Sequence, residues 1–302
     1  MSRDPLKVTS TRLPGTRSGL SRGGRRTLLA VVAAIAVLLG VGVGALGQDP
    51  TTSPTAATTP APSTPAPSTP EPSTSAPATS SPTPAPVTLD PDTGLLGEDD
   101  AAAAVSAAPP GTALAALAQL PVQGRAPRTG YDRDQFGSGW VDTDRNGCDT
   151  RNDVLARDLT AEQFRPGTND CVVTSGVLAD PYSGTTISFL RGQGTSEEVQ
   201  IDHVVALSNS WQTGAQQWDE QTRVAFANDP LNLLAVDGPL NQQKGDGDTA
   251  TWLPPNRAYR CAYVARQVAV KLTYGLWTTP AEHTAMATVL TSCPEEPLPV
   301  AG

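Results

Sequence analysis

Only two histidines occur in the 302 residues, and their surroundings differ. His203 follows Asp202 in the apolar run Val199-Gln200-Ile201-Asp202-His203-Val204-Val205-Ala206. A carboxylate beside an imidazole supplies a hard oxygen ligand and a proton acceptor at one place, which is acid–base chemistry next to a cation. His283 adjoins Glu282 on a stretch patterned as a surface helix, where a solvated imidazole needs no catalytic role. Downstream of His203 come Asn232, Asn241 and Lys244, within Leu231-Asn232-Leu233-Leu234-Ala235-Val236-Asp237-Gly238-Pro239-Leu240-Asn241-Gln242-Gln243-Lys244. Taken singly, such residues serve ordinary turns equally well.

The elements that must position these groups read as mixed α+β. Helix is expected over 152–159 and 160–164, with Thr160 as a cap, and again over 211–226, 255–274 and 280–290. Residues 172–177 and 185–190, separated by Asp180-Pro181-Tyr182-Ser183-Gly184, read as a β-hairpin. Residues 199–206 read as a strand leading into Asp202-His203, and 231–236 as a short strand or turn.

Ahead of them, Asp142, Asp144 and Asn146 followed by Gly147 place oxygen side chains at positions one, three and five of a calcium-type loop, with Asp153 at position twelve. A tight turn capping the next helix is the alternative for this loop. Nearby Arg151 is a candidate phosphate contact or a surface arginine.

The four cysteines are Cys148, Cys171, Cys261 and Cys293. No two lie two to four residues apart, as structural zinc sites usually require, so two disulfides are the expectation. Proximity favours Cys148 with Cys171 and Cys261 with Cys293.

The order Asp202-His203, Asn232, Asn241, Lys244 resembles the HNH or ββα-metal nucleases, closest to the branch that includes the C-terminal domain of GmrSD-type restriction enzymes. The segment Asp132-Arg133-Asp134-Gln135-Phe136-Gly137, Trp140 and Asn146-Gly147-Cys148-Asp149-Thr150-Arg151 look like exported actinobacterial proteins of that branch. The resemblance implies His203 as general base, Asp202 and Asn241 as ligands of Mg²⁺ or Mn²⁺, and Asn232 as the brace of the loop that orients the base. It places Lys244 where a cation can neutralise phosphate, and it implies nucleic acid as a transient substrate. The interval between His203 and Asn232 is longer than in compact members, and Asn241 stands where a second histidine is common. A non-catalytic envelope module that kept the fold, or a phosphodiesterase acting on smaller substrates, are the competing expectations.

Composition sets the frame for the domain. Residues 1–26 are basic, and residues 1–47 carry seven basic side chains and one acidic one, against a net charge of −9 for the chain. Residues 27–47 begin with twenty uncharged residues, TLLAVVAAIAVLLGVGVGAL, close to the roughly 20 needed to cross a bilayer. This segment reads as a cleaved signal peptide or a signal anchor, its length favouring the anchor, with everything downstream exported or held at the cell surface. From 50 to 86 every residue is Pro, Thr, Ser or Ala except Glu71. Such composition cannot offset its ordering entropy, so 48–120 reads as a disordered spacer, although 112–120 could form a short helix. The folded domain is expected over 121–302. From residue 120 onward there are 14 basic and 22 acidic side chains, which excludes a protein that grips nucleic acid by bulk charge but not an enzyme that binds it briefly.

Overall fold

The computed structural model describes residues 88–300. The basic leader, the apolar segment 27–47 and most of the expected spacer lie outside the described residues. Those described belong to one unit, Ala78–Gly302, and among them no helix is long and apolar enough to cross a membrane.

In chain order they form helices α1 (Glu98–Ser106) and α2 (Ala113–Leu117), a short helical turn (Arg133–Phe136), helix α3 (Thr150–Asp158), and strands β1 (Leu159–Phe164), β2 (Val173–Ala179), β3 (Thr186–Leu190) and β4 (Val199–His203). Helices α4 (Leu207–Gln212) and α5 (Glu220–Ala227), strand β5 (Leu233–Asp237), and helices α6 (Gly238–Lys244), α7 (Arg260–Thr273) and α8 (Pro280–Thr291) follow. Strands β1, β2 and β3 make one antiparallel sheet, and β4 pairs with β5 in a second. The class is α+β, stapled by disulfides Cys148–Cys171 and Cys261–Cys293.

The β4–β5 hairpin is the centre of the domain. Strand β5 is buried on both faces because its sequence, LLAVD, carries apolar side chains at consecutive positions rather than alternate ones. Leu233 and Ala235 join Val199 and Ile201 in a core with Val154 and Leu155 of α3. Leu234 and Val236 face the other way, into a core with Tyr263, Val264 and Val268 of α7. Helix α6 then leaves the hairpin at once. Asp237 caps it by accepting from the Leu240 N–H at 2.8 Å. Gly238 is required at its first position, since a Cβ there would lie 1.9 Å from the Glu197 carbonyl oxygen.

Three expectations are corrected. Residues 160–164 form strand rather than helix: Thr160 donates its hydroxyl to the Val177 carbonyl at 3.2 Å instead of capping, and Ala161 sits at φ 52° beside a register shift. Pairing with β2 outweighs local helix preference here. The helix expected over 211–226 is two helices, α4 and α5. They are broken at Gly214, whose φ of 138° suits glycine and where a Cβ would come within 3.1 Å of Leu276.

The spacer also ends earlier than residue 120. Ala101 and Val105 of α1, with Leu114 and Leu117 of α2, are buried in the same core as α7 and α8. Thr112 caps α2, accepting from the Ala115 N–H at 3.2 Å. Alanine-rich helices expose too little apolar surface for composition to separate them from spacer, and burial against larger partners supplies their stability. Leu117→Ala is therefore expected to cost about 2–5 kcal/mol in urea denaturation of the full chain. A spacer residue would leave the midpoint unmoved.

Candidate active site

Side chains alternate along a strand, so the adjacent Asp202 and His203 leave opposite faces of β4. Both are buried. Both nevertheless line one cavity of about 110 Å³ at the end of the hairpin, which Asn241 of α6 also reaches.

On the His203 face, Nε2 lies 2.9 Å from the Ala227 carbonyl oxygen at the end of α5. A carbonyl can only accept, so the ring carries its proton on Nε2 and Nδ1 is the basic nitrogen. Trp140 stacks on the imidazole, with centroids 5.8 Å apart and planes 9° from parallel. Trp140 is itself fixed through Val141, whose N–H donates to Asn228 Oδ1 at 3.1 Å and whose carbonyl accepts from the Thr150 N–H at 3.0 Å. Burial, reinforced by the charges of Arg133 and Lys244, lowers the His203 pKa to about 3 against the opposing pull of the Ala227 carbonyl. The imidazole is neutral at pH 7, as a base must be.

On the Asp202 face, Oδ1 accepts from Lys244 Nζ at 2.9 Å and Oδ2 accepts from the Tyr182 hydroxyl at 2.5 Å. Burial raises the Asp202 pKa, while the Lys244 charge, Tyr182 and the His203 amide act to lower it. Lys244 Nζ also donates to the His203 carbonyl at 2.8 Å, and its side chain is fully buried. This corrects the expectation for Lys244: it is an internal counter-charge to Asp202, closed off from any phosphate.

The brace expected of Asn232 has a definite geometry. Its Oδ1 accepts from the Val205 N–H at 2.8 Å, its Nδ2 donates to the Val205 carbonyl at 3.3 Å, and its own carbonyl accepts from the Val204 N–H at 2.8 Å. The residues following His203 are thus tied to the foot of β5, and the long insertion leaves the hairpin register intact, His203 standing opposite Leu233. Asn241 gives its Nδ2 to Gln200 Oε1 at 2.9 Å, and its Oδ1 has no protein partner among the described residues.

Asp202 and Asn241, each carrying a hard oxygen, line the same small cavity. A carboxylate offers about four acceptor positions, of which Lys244 and Tyr182 take two. The donor set fits a divalent cation that keeps most of its water. Among the described residues, no group of three or more His, Cys, Asp or Glu is spaced to hold an ion.

The other sequence candidates lie elsewhere. In the loop expected to bind calcium, Asn146 donates its amide N–H groups to Asp144 Oδ2 (3.0 Å) and Asp153 Oδ1 (3.1 Å), and its Oδ1 accepts from the Cys148 N–H at 2.7 Å. Asp142 Oδ2 accepts from the Gly147 N–H at 2.9 Å. These carboxylates are met by N–H donors in a turn that feeds α3, whose cap, Asp149, accepts from the Asn152 N–H at 2.9 Å. Asp153 has its pKa raised, first by burial and then by its acidic neighbours. Arg151 is half-buried, its pKa lowered by burial and by Arg191, and it is not among the residues lining the His203 cavities. His283 is half-buried.

The cation at those cavities is Arg133. It lines the 110 Å³ cavity and a second of about 270 Å³ bounded by Trp140, His203 and Ala227. Arg133 and Trp140 stand in the segment that carries the family resemblance, but nothing in their spacing assigns them a place at the site. Tyr182 reads from sequence as a turn residue. The Ala227 carbonyl, being backbone, leaves no signal at all.

The Lys244 correction has a measurable consequence. Removing one partner of a buried pair leaves the other uncompensated, so Lys244→Ala should destabilise the fold by about 3–5 kcal/mol in chemical denaturation. An exposed phosphate-contacting lysine would change stability by no more than about 0.5 kcal/mol.

Comparison with known proteins gives this arrangement a lineage. Residues 149–289, which carry β4, β5, α6 and every group on the two faces except Arg133 and Trp140, match the family described as GmrSD restriction endonucleases, C-terminal domain. An uncharacterized secreted protein of Arthroderma benhamiae is 40% identical over 184 residues, covering 60% of this chain and 85% of that protein. No solved structure matches the chain. With Asp202, His203, Asn232 and Asn241 all inside the matched span, the chain belongs to the GmrSD restriction endonuclease C-terminal domain family.

Proposed function

We propose that this protein is an exported, divalent-metal-dependent endonuclease that hydrolyses phosphodiester bonds of DNA, and of RNA by the same chemistry, with His203 as general base. The observation that carries the reading is the state of His203: neutral, with its proton held on Nε2 by the Ala227 carbonyl and the Nδ1 lone pair left over. Nδ1 takes a proton from water as the water oxygen attacks phosphorus and the bond to the leaving ester oxygen breaks. Stacking on Trp140 and the tether to Ala227 fix the ring plane, so the lone pair keeps one direction.

Asp202 and Asn241 are the residues that would hold Mg²⁺ or Mn²⁺, which supplies positive charge for the leaving oxygen and its phosphate when bound. Lys244, 2.9 Å from Asp202 Oδ1, opposes the rise in the Asp202 pKa that burial causes. Asn232 holds the peptide that follows the base.

Export is supported by the two disulfides, by the secreted relative and by the apolar segment 27–47. The same segment would hold the protein at a membrane if it is not cleaved.

His203→Ala is expected to slow plasmid cleavage with Mg²⁺ or Mn²⁺ by about 10²–10⁴-fold, with both disulfides and the circular-dichroism spectrum retained, and chelation by EDTA should abolish cleavage by the unmodified protein. Cleavage of small diesters alone would assign a smaller substrate. No cleavage with any divalent ion would make the domain a binding module.

A further inference from the structure

Besides His203, the 270 Å³ cavity is lined by one continuous chain segment and by Arg133. The segment Phe136-Gly137-Ser138-Gly139-Trp140 runs along it, and Arg133 closes one side. The N–H of Gly137 is used, donating to Asp134 O at 3.1 Å. The next three amides, of Ser138, Gly139 and Trp140, make no hydrogen bond to protein among the described residues. Ser138 and Gly139 are exposed and Trp140 is half-buried.

Arg133 is exposed as well, and its guanidinium makes no ion pair or hydrogen bond with protein among the described residues. This separates it from Arg125, which pairs with Asp248, and from Arg128, which lies 3.7 Å from Asp246 and 5.1 Å from the Tyr131 ring centroid. Successive unpartnered amides beside a free arginine fork match the oxygens of a tetrahedral anion. Asp134 on the same wall opposes them, which sets a modest affinity and places the specificity in geometry rather than in net charge.

We infer that Arg133 and the Ser138–Gly139–Trp140 amides form a phosphate-binding subsite that seats a backbone phosphate of the substrate beside His203. The inference rests on the nuclease reading for the identity of the ligand. A guanidinium here meets substrate directly, so Arg133 is a substrate-binding residue. Arg133 also lines the 110 Å³ cavity with Asp202 and Asn241, so a strand seated on the amides would continue toward the proposed cation site.

The test uses full-length His203→Ala protein in EDTA, where cleavage is stopped, and a fluorescein-labelled single-stranded oligonucleotide followed by anisotropy across a salt series. Arg133→Ala added to this background should weaken binding by about tenfold or more and reduce the slope of log Kd against log salt by roughly one contact. Arg133→Lys should recover the slope but only part of the affinity, because a point charge lacks the fork. Arg128→Ala should weaken binding less than Arg133→Ala. Inorganic phosphate should compete with the oligonucleotide for the His203→Ala protein and much less for the double variant.

Unchanged affinity and slope in the double variant, or no binding by the His203→Ala protein, would overturn the subsite. Circular dichroism and melting temperature confirm that the variants fold. If the otherwise unaltered protein cleaves and Arg133→Ala cleaves with the same KM, the subsite is wrong and the nuclease reading stands. If binding follows the expected pattern but nothing is ever cleaved, the subsite stands and the nuclease reading fails.

Discussion

A carboxylate buried where a strand ends must be matched or it takes up a proton, and Asp202 is such a group. Its two oxygens are answered by Lys244 from α6 and Tyr182 from the turn between β2 and β3. Each partner brings its own segment into register. Lys244 arrives only because α6 starts immediately after β5, with Gly238 against the Glu197 carbonyl. Tyr182 arrives because its ring is packed against Tyr263 of α7 and Trp252, and because its carbonyl holds the Asn256 N–H at 2.9 Å. One desolvated charge thus orders the hairpin, the short helix and the three-stranded sheet relative to one another.

The opposite face of the hairpin is governed by the imidazole. Ala227 reaches it from α5, a helix capped by Asp219, and Trp140 reaches it from a segment tied to Asn228 and Thr150. Asn228 follows Ala227, so the residue that sets the His203 tautomer and the residue that steers Trp140 are neighbours in sequence. The insertion that lengthens this hairpin is therefore part of the site. The disulfide Cys148–Cys171 joins the end of the segment that carries Trp140 to the strand region entering β2, which limits how far the wall can move.

Much of this was legible in the chain. The Asp-His pair at a strand end, the two asparagines after it, the paired cysteines and the α+β character all follow from residue type and spacing. Other parts were not legible, for identifiable reasons. The helix at α1 was hidden by its alanines, whose composition matches spacer. Strand β1 was hidden because pairing with β2, not local preference, selects its conformation. Arg133 and Trp140 lie more than sixty residues before His203 and carry no spacing signal that links them to it.

Lys244 marks the boundary between the two kinds of information. Sequence determined that a cation would stand three residues after Asn241, because helical spacing fixes neighbours of that kind. Whether that cation faced phosphate or the interior depended on where α6 packs. Packing against β4 sent it inward to Asp202, and left Arg133 as the exposed cation beside the imidazole. Sequence by itself determined the groups available for acid–base chemistry. Only the tertiary structure decided which faces meet, because an ion in the interior must be paired at a specific distance while one in water need not be.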